Sequence, residues 1–434
     1  MAFTMQLTHY SDKRRWIIDE FFPNPKEHAE IYKDLHQHPD LPCQEERTAS
    51  VVAARLETLG FEVQTKIGGH GVVGILRNGD GENVLLRSEL DALPIRENTG
   101  LPYASRVEQV DADGIKKGVM HACAHDVHMT CLLGVAALLH DARRVWSGTL
   151  IVLFQPNEER LLGAKAMIDD GLFQKIPLPG VCLAQHCVPT KSGTIAVKPG
   201  RVLGYLDSLD VRVYGRGAHG ATPQLGIDPI VLAASIITRL QTVVSREMDP
   251  SEPVVIGCGS FHAGTDASII PDYADFKIDV RTFSEGTQKR AKAAVERTVR
   301  KECEISRSPI APRIVTVVSS PAIDNDDEAT GLFAQVLKDY YGSRASEVVQ
   351  EMPPDIVADD FVLLALPPGG KPIPYVYWNI GVTDPETWER AHREGKLRDL
   401  PPTHSSTYAP AIEPTLRTGI EALALSALTF LQLL

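Results

Sequence analysis

The chain has 434 residues, 43% hydrophobic and 23% charged, ordinary usage for a folded globular protein and not for a disordered or fibrous one. A formal net charge of -12, with no cluster of Lys or Arg, argues against nucleic acid or an anionic membrane as a partner. The length is more than one simple domain needs, so two are expected.

Residues 1–19 carry Thr4, Gln6, His9, Asp12, Lys13, Arg14 and Arg15 without an apolar core, so no secretory signal is read. No window elsewhere is long and apolar enough to span a bilayer. The cysteines are odd in number, at 43, 123, 131, 182, 187, 258 and 303, and scattered. That pattern argues against a disulfide framework and for a reducing, cytoplasmic setting.

In chain order, apolar periodicity predicts a helix over 49–59, ended by Gly60, then a strand over 61–65. Strands follow at 72–76 and 84–88, separated by Asn78-Gly79-Asp80-Gly81, and the second leads directly into Glu89-Leu90-Asp91. The apolar run 129–139 predicts a helix packed on a sheet. Residues 148–155 read as a buried strand with Glu158 and Glu159 just beyond its end. In mostly parallel sheets flanked by helices, ligands bind beyond the carboxyl ends of strands, so these polar clusters are expected to converge on one cleft.

A different texture begins near Tyr205. Strands over 209–214, 254–261 and 274–283 alternate with helices over 230–244 and 287–302, a compact α+β insert. The α/β texture returns after about residue 320, with a helix over 329–341, a strand over 375–380 and a final helix over 414–433. The expected organisation is a catalytic domain of 1–203 and 320–434, interrupted by a smaller domain at 204–319. The charged segment 384–402 is expected to form a lid-like loop.

Cys123 and His125 lie two apart, which in an extended segment puts both side chains on one side, as two ligands of one metal centre require. An isolated Cys-x-His is more often a small core residue beside a satisfied histidine, so the weight must come from context. Glu158 and Glu159 supply some. At a strand end they would point opposite ways, one carboxylate binding metal and the other remaining free as a general base. An adjacent Glu pair alone is usually a solvated turn, but this one follows a buried strand. His186 follows the apolar run Leu183-Ala184-Gln185, and His404 lies in the polar stretch Pro402-Thr403-His404-Ser405-Ser406; neither stands out alone.

An ordered set of motifs runs through the chain: Asp34-Leu35-His36-Gln37-His38-Pro39, Asp91-Ala92-Leu93-Pro94-Ile95, His121-Ala122-Cys123-Ala124-His125-Asp126, Phe154-Gln155-Pro156-Asn157-Glu158-Glu159 and Gly163-Ala164-Lys165-Ala166-Met167-Ile168. The insert continues it in Gly215-Arg216-Gly217-Ala218-His219-Gly220-Ala221, His262-Ala263-Gly264-Thr265, Ile270-Pro271-Asp272 and Val280-Arg281-Thr282-Phe283. Taken in this order, the motifs resemble the metallopeptidase M20 superfamily, specifically its amidohydrolase branch of auxin-conjugate hydrolases, hippurate hydrolases and N-acyl amino acid amidohydrolases.

The resemblance implies a zinc-peptidase-like α/β catalytic domain, with a mostly parallel central sheet flanked by helices, and an α+β lid through which a homodimer forms. It implies Cys123, His125, Glu159, His186 and His404 as ligands of two divalent ions, with the Cys123 thiolate shared, and Glu158 as the base. Such ligands suit Zn or Mn, and also Co or Ni. His219 resembles the lid histidine that stabilises the oxyanion in a neighbouring active site, where a positioned donor is worth roughly 3 to 4 kcal/mol. Whether it acts within its own chain or across a dimer stays open. Asp91 and Asp126 fit positions that orient ligating histidines, and equally fit caps or turns. His36, His38, His121 and His128 are expected to be framework, since five protein ligands and a bridging water already fill such a site.

The sequence departs from the pattern close to these residues. Glu89 stands where the family usually has Asp, Ala124 where it has glycine, and Arg160-Leu161-Leu162 where it has a glycine run. Pro223-Gln224 replaces the usual Pro-His, and Ser268 the usual Asn. No ligand and no base is lost, so chemistry should persist while specificity differs. Arg160 adds a charge able to meet a substrate carboxylate, and Ser268 and Arg281 are further substrate-binding candidates.

The expected activity is hydrolysis of an N-acyl amino acid or a related small amide or peptide conjugate, by a metal-activated water with Glu158 as base. One competing expectation is an enzyme of specialised metabolism that cuts or forms an amide at the same site. Another is a catalytically silent regulatory dimer, against which retention of all five ligands and the base argues. A nicotinamide or nucleotide enzyme is set aside, because Gly257-Cys258-Gly259-Ser260 and Gly215-Arg216-Gly217 do not complete a strand, glycine-rich turn and helix.

Overall fold

Four largely apolar strands form the centre of the main sheet, in the order Trp146–Gln155, Asn83–Glu89, Val181–Lys191 and Tyr375–Thr383, each parallel to the next. Leu150, Ile151, Val152 and Leu153 are all fully buried, so both faces of their strand are covered, as parallel sheets flanked by helices demand. Antiparallel strands Glu62–Ile67 and Gly71–Asn78 extend one side. Ile195–Val197 and Val349–Glu351 extend the other, and Gln432–Leu433 pairs with the start of Trp146–Gln155, giving nine strands. The structure is a computed structural model and describes residues 2–112 and 114–434.

Helix His125–Asp141 is buried almost all round and crosses helix Ile412–Phe430 at two glycines. A Cβ on Gly134 would lie 2.6 Å from Ile420 Cδ1, and one on Gly419 2.5 Å from Cys131 Sγ, so a side chain at either place would force its neighbour to move. Helices Pro25–Gln37, Glu46–Thr58 and Asp327–Tyr341 bring Tyr32, Val52 and Phe333 into the same core. These elements belong to one compact unit, Met1–Val202 with Asp324–Pro353 and Asp360–Leu434.

The second unit is Leu203–Ile323 with Pro354–Asp359. Its antiparallel sheet runs Val254–Ala263, Tyr273–Thr282, Tyr205–Tyr214, Arg313–Ser320. Alternation along these strands buries Leu209, Val211, Val213, Phe276 and Ile278 against Ile236 and Leu240 of helix Pro229–Glu247 and Val295 and Val299 of helix Glu285–Ile305.

The segment 384–402 is not a loop throughout. Helix Pro385–Arg393 occupies its first half, with the Asp384 carboxylate accepting from Thr387 N at the cap, Pro385 in the first turn and Trp388 stacked on His392. No helix among the described residues is long and apolar enough to cross a membrane, and all seven cysteines are free.

Candidate metal centre and active site

The stretch carrying Cys123 and His125 is a turn rather than the expected extended segment. Ala124 adopts the left-handed conformation, φ 62° and ψ 29°, and helix His125–Asp141 begins directly after it. The turn achieves by another route what alternation would have done: ligand atoms of Cys123, His125 and His186 all lie within 4.8 Å of one another. His404, also left-handed at φ 64°, is tied to the same turn by its backbone N–H, which donates to the Ala122 carbonyl at 2.8 Å.

The glutamates likewise depart from strand-end geometry. Asn157 and Leu161 are both left-handed, with φ 54°, and Glu158–Arg160 forms a single 3₁₀ turn between them. Both carboxylates therefore face His125 instead of pointing apart: His125 Nε2 lies 3.6 Å from Glu158 Oε2 and 3.9 Å from Glu159 Oε1. Cys123 Sγ lies 3.5 Å from His186 Nε2 and 3.3 Å from His404 Nε2, and His404 Nε2 is 3.5 Å from Glu159 Oε2. Donors held at about 2.0–2.3 Å in a tetrahedral arrangement stand about 3.3–3.8 Å apart; the Cys123–His186, Cys123–His404 and His404–Glu159 separations fall in that range and His125–Glu159 just outside it.

Hydrogen bonds turn the rings toward the cluster. His125 Nδ1 donates to the Asp91 carbonyl at 2.7 Å and His186 Nδ1 to the Cys187 carbonyl at 2.9 Å, leaving each Nε2 lone pair inward. The Asp91 carboxylate accepts from Glu159 N at 2.9 Å, so one residue orients two of the expected ligands. His125 Nε2 and Glu159 Oε1 are buried without a hydrogen-bond partner. Such atoms cost about 1–3 kcal/mol each unless something satisfies them, and a cation between them would satisfy both.

The electrostatics agree with that donor set. Burial, then Glu159, Glu158 and Glu89, push the Cys123 thiol well above its ordinary range, so a thiolate there requires a neighbouring cation. Burial alone would lower His125, yet Asp91, Glu89 and Glu159 outweigh it and raise the ring to about 10. A field that retains a proton so firmly also attracts a divalent cation. Burial, then the neighbouring His128, hold His186 well below its usual value, the neutral form a metal ligand needs.

Asp126 does not orient a ligating histidine. Its carboxylate meets His36 Nδ1 at 2.6 Å, and His36 Nε2 meets Glu97 at 3.1 Å. Burial opposes a charge on His36, but the two carboxylates raise it to about 10, making a buried imidazolium between them. His128 spans Glu89 Oε2, 2.7 Å from its Nδ1, and the Cys187 N–H, which donates to its Nε2 at 2.8 Å. His128 thus pins the strand beside His186. His121 is buried with neither ring nitrogen bonded, and burial lowers it to about 4.

Residues 85–395 match the model of peptidase family M20/M25/M40. The chain belongs to this family. It is a metallo-amidohydrolase of the M20 type. The hippurate hydrolase of Campylobacter jejuni is 37% identical over 349 residues, 80% of this chain and 86% of that protein. Thermostable carboxypeptidase 1 of Saccharolobus solfataricus is 33% identical over 405 residues, 92% of this chain and 94% of that protein. The YXEP protein of Bacillus subtilis, a dinuclear metal binding peptidase from the M20 family, superposes with a TM-score of 0.68 at 25% identity over 93% of this chain and 97% of that chain.

Other expected site residues of this M20 enzyme lie in the smaller unit. His219 is exposed, and its Nδ1 accepts from Ala221 N at 3.0 Å. Ser268 donates from N and Oγ to Asp266, both at 2.8 Å, and Arg281 Nε donates to Asp279 at 2.6 Å. In the larger unit Arg160 is half-buried and makes no hydrogen bond or ion pair among the described residues. Sequence reasoning passed over Glu45, Arg87, Gln155 and Asp360, all fully buried. Arg87 carried a signal, a charge inside the apolar strand Asn83–Glu89 that demands a buried partner. Asp360 carried none.

Proposed function

We propose that this M20 amidohydrolase cleaves the amide joining an acyl group to an amino acid or small peptide, with two divalent ions held by Cys123, His125, Glu159, His186 and His404. The observation that carries the proposal is the pair of glutamates facing His125 Nε2, one placed to ligate and the other spare. Ions bound there would polarise the scissile carbonyl and lower the pKa of water. Glu158 accepts the proton of the attacking water and returns it to the leaving amine. Asp91 holds His125 and Glu159 in place for this work.

In His219 the Nδ1 lone pair is taken by Ala221 N–H, so the proton resides on Nε2, the donor an oxyanion requires. A homodimer formed through the smaller unit, and cytoplasmic residence with reduced cysteines, complete the proposal. Hippurate and carboxypeptidase substrates both carry a free carboxylate next to the scissile amide. Arg160, without a hydrogen-bond or ion-pair partner among the described residues, offers its planar guanidinium to such a group. Ser268 and Arg281 already bond to Asp266 and Asp279, and would have to exchange those partners to meet substrate.

Replacing Glu158 by Gln tests the proposal. The variant should keep two metal ions per chain by elemental analysis and lose roughly 10²–10⁴-fold in kcat on N-benzoylglycine or whichever acyl amino acid of a panel the wild type turns over. Wild-type turnover surviving in E158Q would sink the assignment of the base.

A further inference from the structure

The two glutamates sit on a short loop between strand Trp146–Gln155 and helix Gly163–Asp169, and a single carboxylate grips both of its stems. Gln155 Nε2 donates to Asp360 Oδ1 at 2.6 Å, and Ala164 N donates to Asp360 Oδ2 at 2.9 Å. Arg87 Nε donates in turn to Gln155 Oε1 at 3.0 Å, and its guanidinium pairs with Glu89 and, at 3.5 Å, with Asp360 Oδ1 itself. Arg87, Glu89, Gln155 and Asp360 are all fully buried. The stems also touch directly: a Cβ on Gly163 would fall 1.6 Å from the Pro156 carbonyl oxygen.

We infer that Asp360 is a positioning residue for hydrolysis, closing the loop so that Glu158 and Glu159 face His125 together. This rests on the proposed roles of the two glutamates. The loop's interior is held by Glu45 and Asp91, whose carboxylates accept from Asn157 N at 2.8 Å and Glu159 N at 2.9 Å. The physical case is that Asp360 adds what these do not, a tie between the two stems. The loop passes through two left-handed non-glycine residues: Asn157, of a type that tolerates this region, and Leu161, for which it costs of order 1–3 kcal/mol and persists only where surroundings impose it. The Asp360 carboxylate bridges the stems on either side of that strained turn. Released, the stems can separate and the turn relax, moving the glutamates by a fraction of an ångström or more. Displacements near 1 Å cost about 10²-fold in rate.

The variant Asp360→Asn keeps the shape and one acceptor oxygen, but faces either Gln155 Nε2 or Ala164 N with an NH₂. Arg87 loses its 3.5 Å ion pair with Asp360 but retains Glu89, so its buried charge keeps one counter-charge. With excess metal, kcat on the substrate used for E158Q should fall about 10–100-fold, while KM changes by less than about threefold. Amide hydrogen exchange in a peptide covering residues 156–163 should accelerate relative to the rest of the chain. Gln155→Met, which leaves the Ala164 bond intact, should show the same split at smaller size, and the double variant should be less impaired than the product of the two single effects.

Unchanged kcat in D360N, or activity fully restored by added metal, would overturn the inference, the latter because Asp360 would then act only through ion retention. If D360N does not fold, unchanged kcat and exchange in Q155M overturn it. Failure of the glutamate assignment shows separately, as turnover by E158Q.

Discussion

Glu45 offers a stability prediction whose sign follows from its surroundings. It caps helix Glu46–Thr58 and is fully buried; its Oε1 accepts from Cys43 N at 2.9 Å and Asn157 N at 2.8 Å, and its Oε2 has no partner. Burial, with Asp91 adding to it, raises the carboxyl from 4.5 to about 7. Between those values the folded chain keeps a proton that the unfolded chain has released, so stability falls as pH rises through this window. The difference, 7 − 4.5, is about 2.5 units, which at about 1.36 kcal/mol per unit is a loss of a little over 3 kcal/mol by pH 8, relative to acid below the unfolded value. Glu45→Gln keeps Oε1 and cannot ionise. Urea unfolding of both proteins from pH 5 to 8.5, at fixed metal concentration, should give a stability difference, wild type minus variant, that declines by about 2.5 kcal/mol, the rest of the loss lying below pH 5. Titrations common to both proteins cancel. The new amide NH₂ lacks an acceptor and shifts the variant by about 1–3 kcal/mol at every pH, so the slope is read and not the offset. Parallel curves would refute the reasoning.

His128→Ala removes the link between Glu89 and the Cys187 N–H, and metal affinity should fall about 10–100-fold in competition with a chelator, with kcat largely recovered at saturating metal. Unaltered affinity would show that the strand carrying His186 needs no such brace. Arg160→Ala should raise KM about tenfold or more for acyl amino acids, leave kcat nearly unchanged, and have no effect on the corresponding amino acid amides, which lack the carboxylate. Equal losses on both substrate types would remove Arg160 from substrate recognition.

Much of the fold was legible because its strands and helices bury continuous or periodic apolar faces. The run 148–155 became strand Trp146–Gln155, and 129–139 became the core of helix His125–Asp141. The ligand-type residues were legible as a set, yet their geometry was not. Ala124 and Leu161 take left-handed conformations that nothing local in the sequence marks, and Asn157, of a type that enters this region readily, gives only a weak hint. Two turns were consequently taken for extended chain. Charge density hid helix Pro385–Arg393, although Asp384-Pro385 is a readable helix start. The Asp360 clamp was beyond reach for another reason: it meets Gln155 across 205 residues of chain, a distance over which no spacing rule operates.

The interleaving of the two units bears on how the protein is made. The larger unit needs residues from both ends of the chain, because strand Tyr375–Thr383 and helix Ile412–Phe430 complete its sheet and core, whereas Leu203–Ile323 is nearly sufficient for the smaller. During synthesis the smaller unit can therefore fold while the larger still waits for its last strand and helix. His404 emerges nearly last, after Cys123, His125, Glu159 and His186 have long been present. A nascent chain thus carries four of the proposed ligands and the proposed base without the fifth ligand, and chains cut short before residue 404 lack the core helix Ile412–Phe430 as well, so the larger unit should fail to fold in them while the smaller can still form.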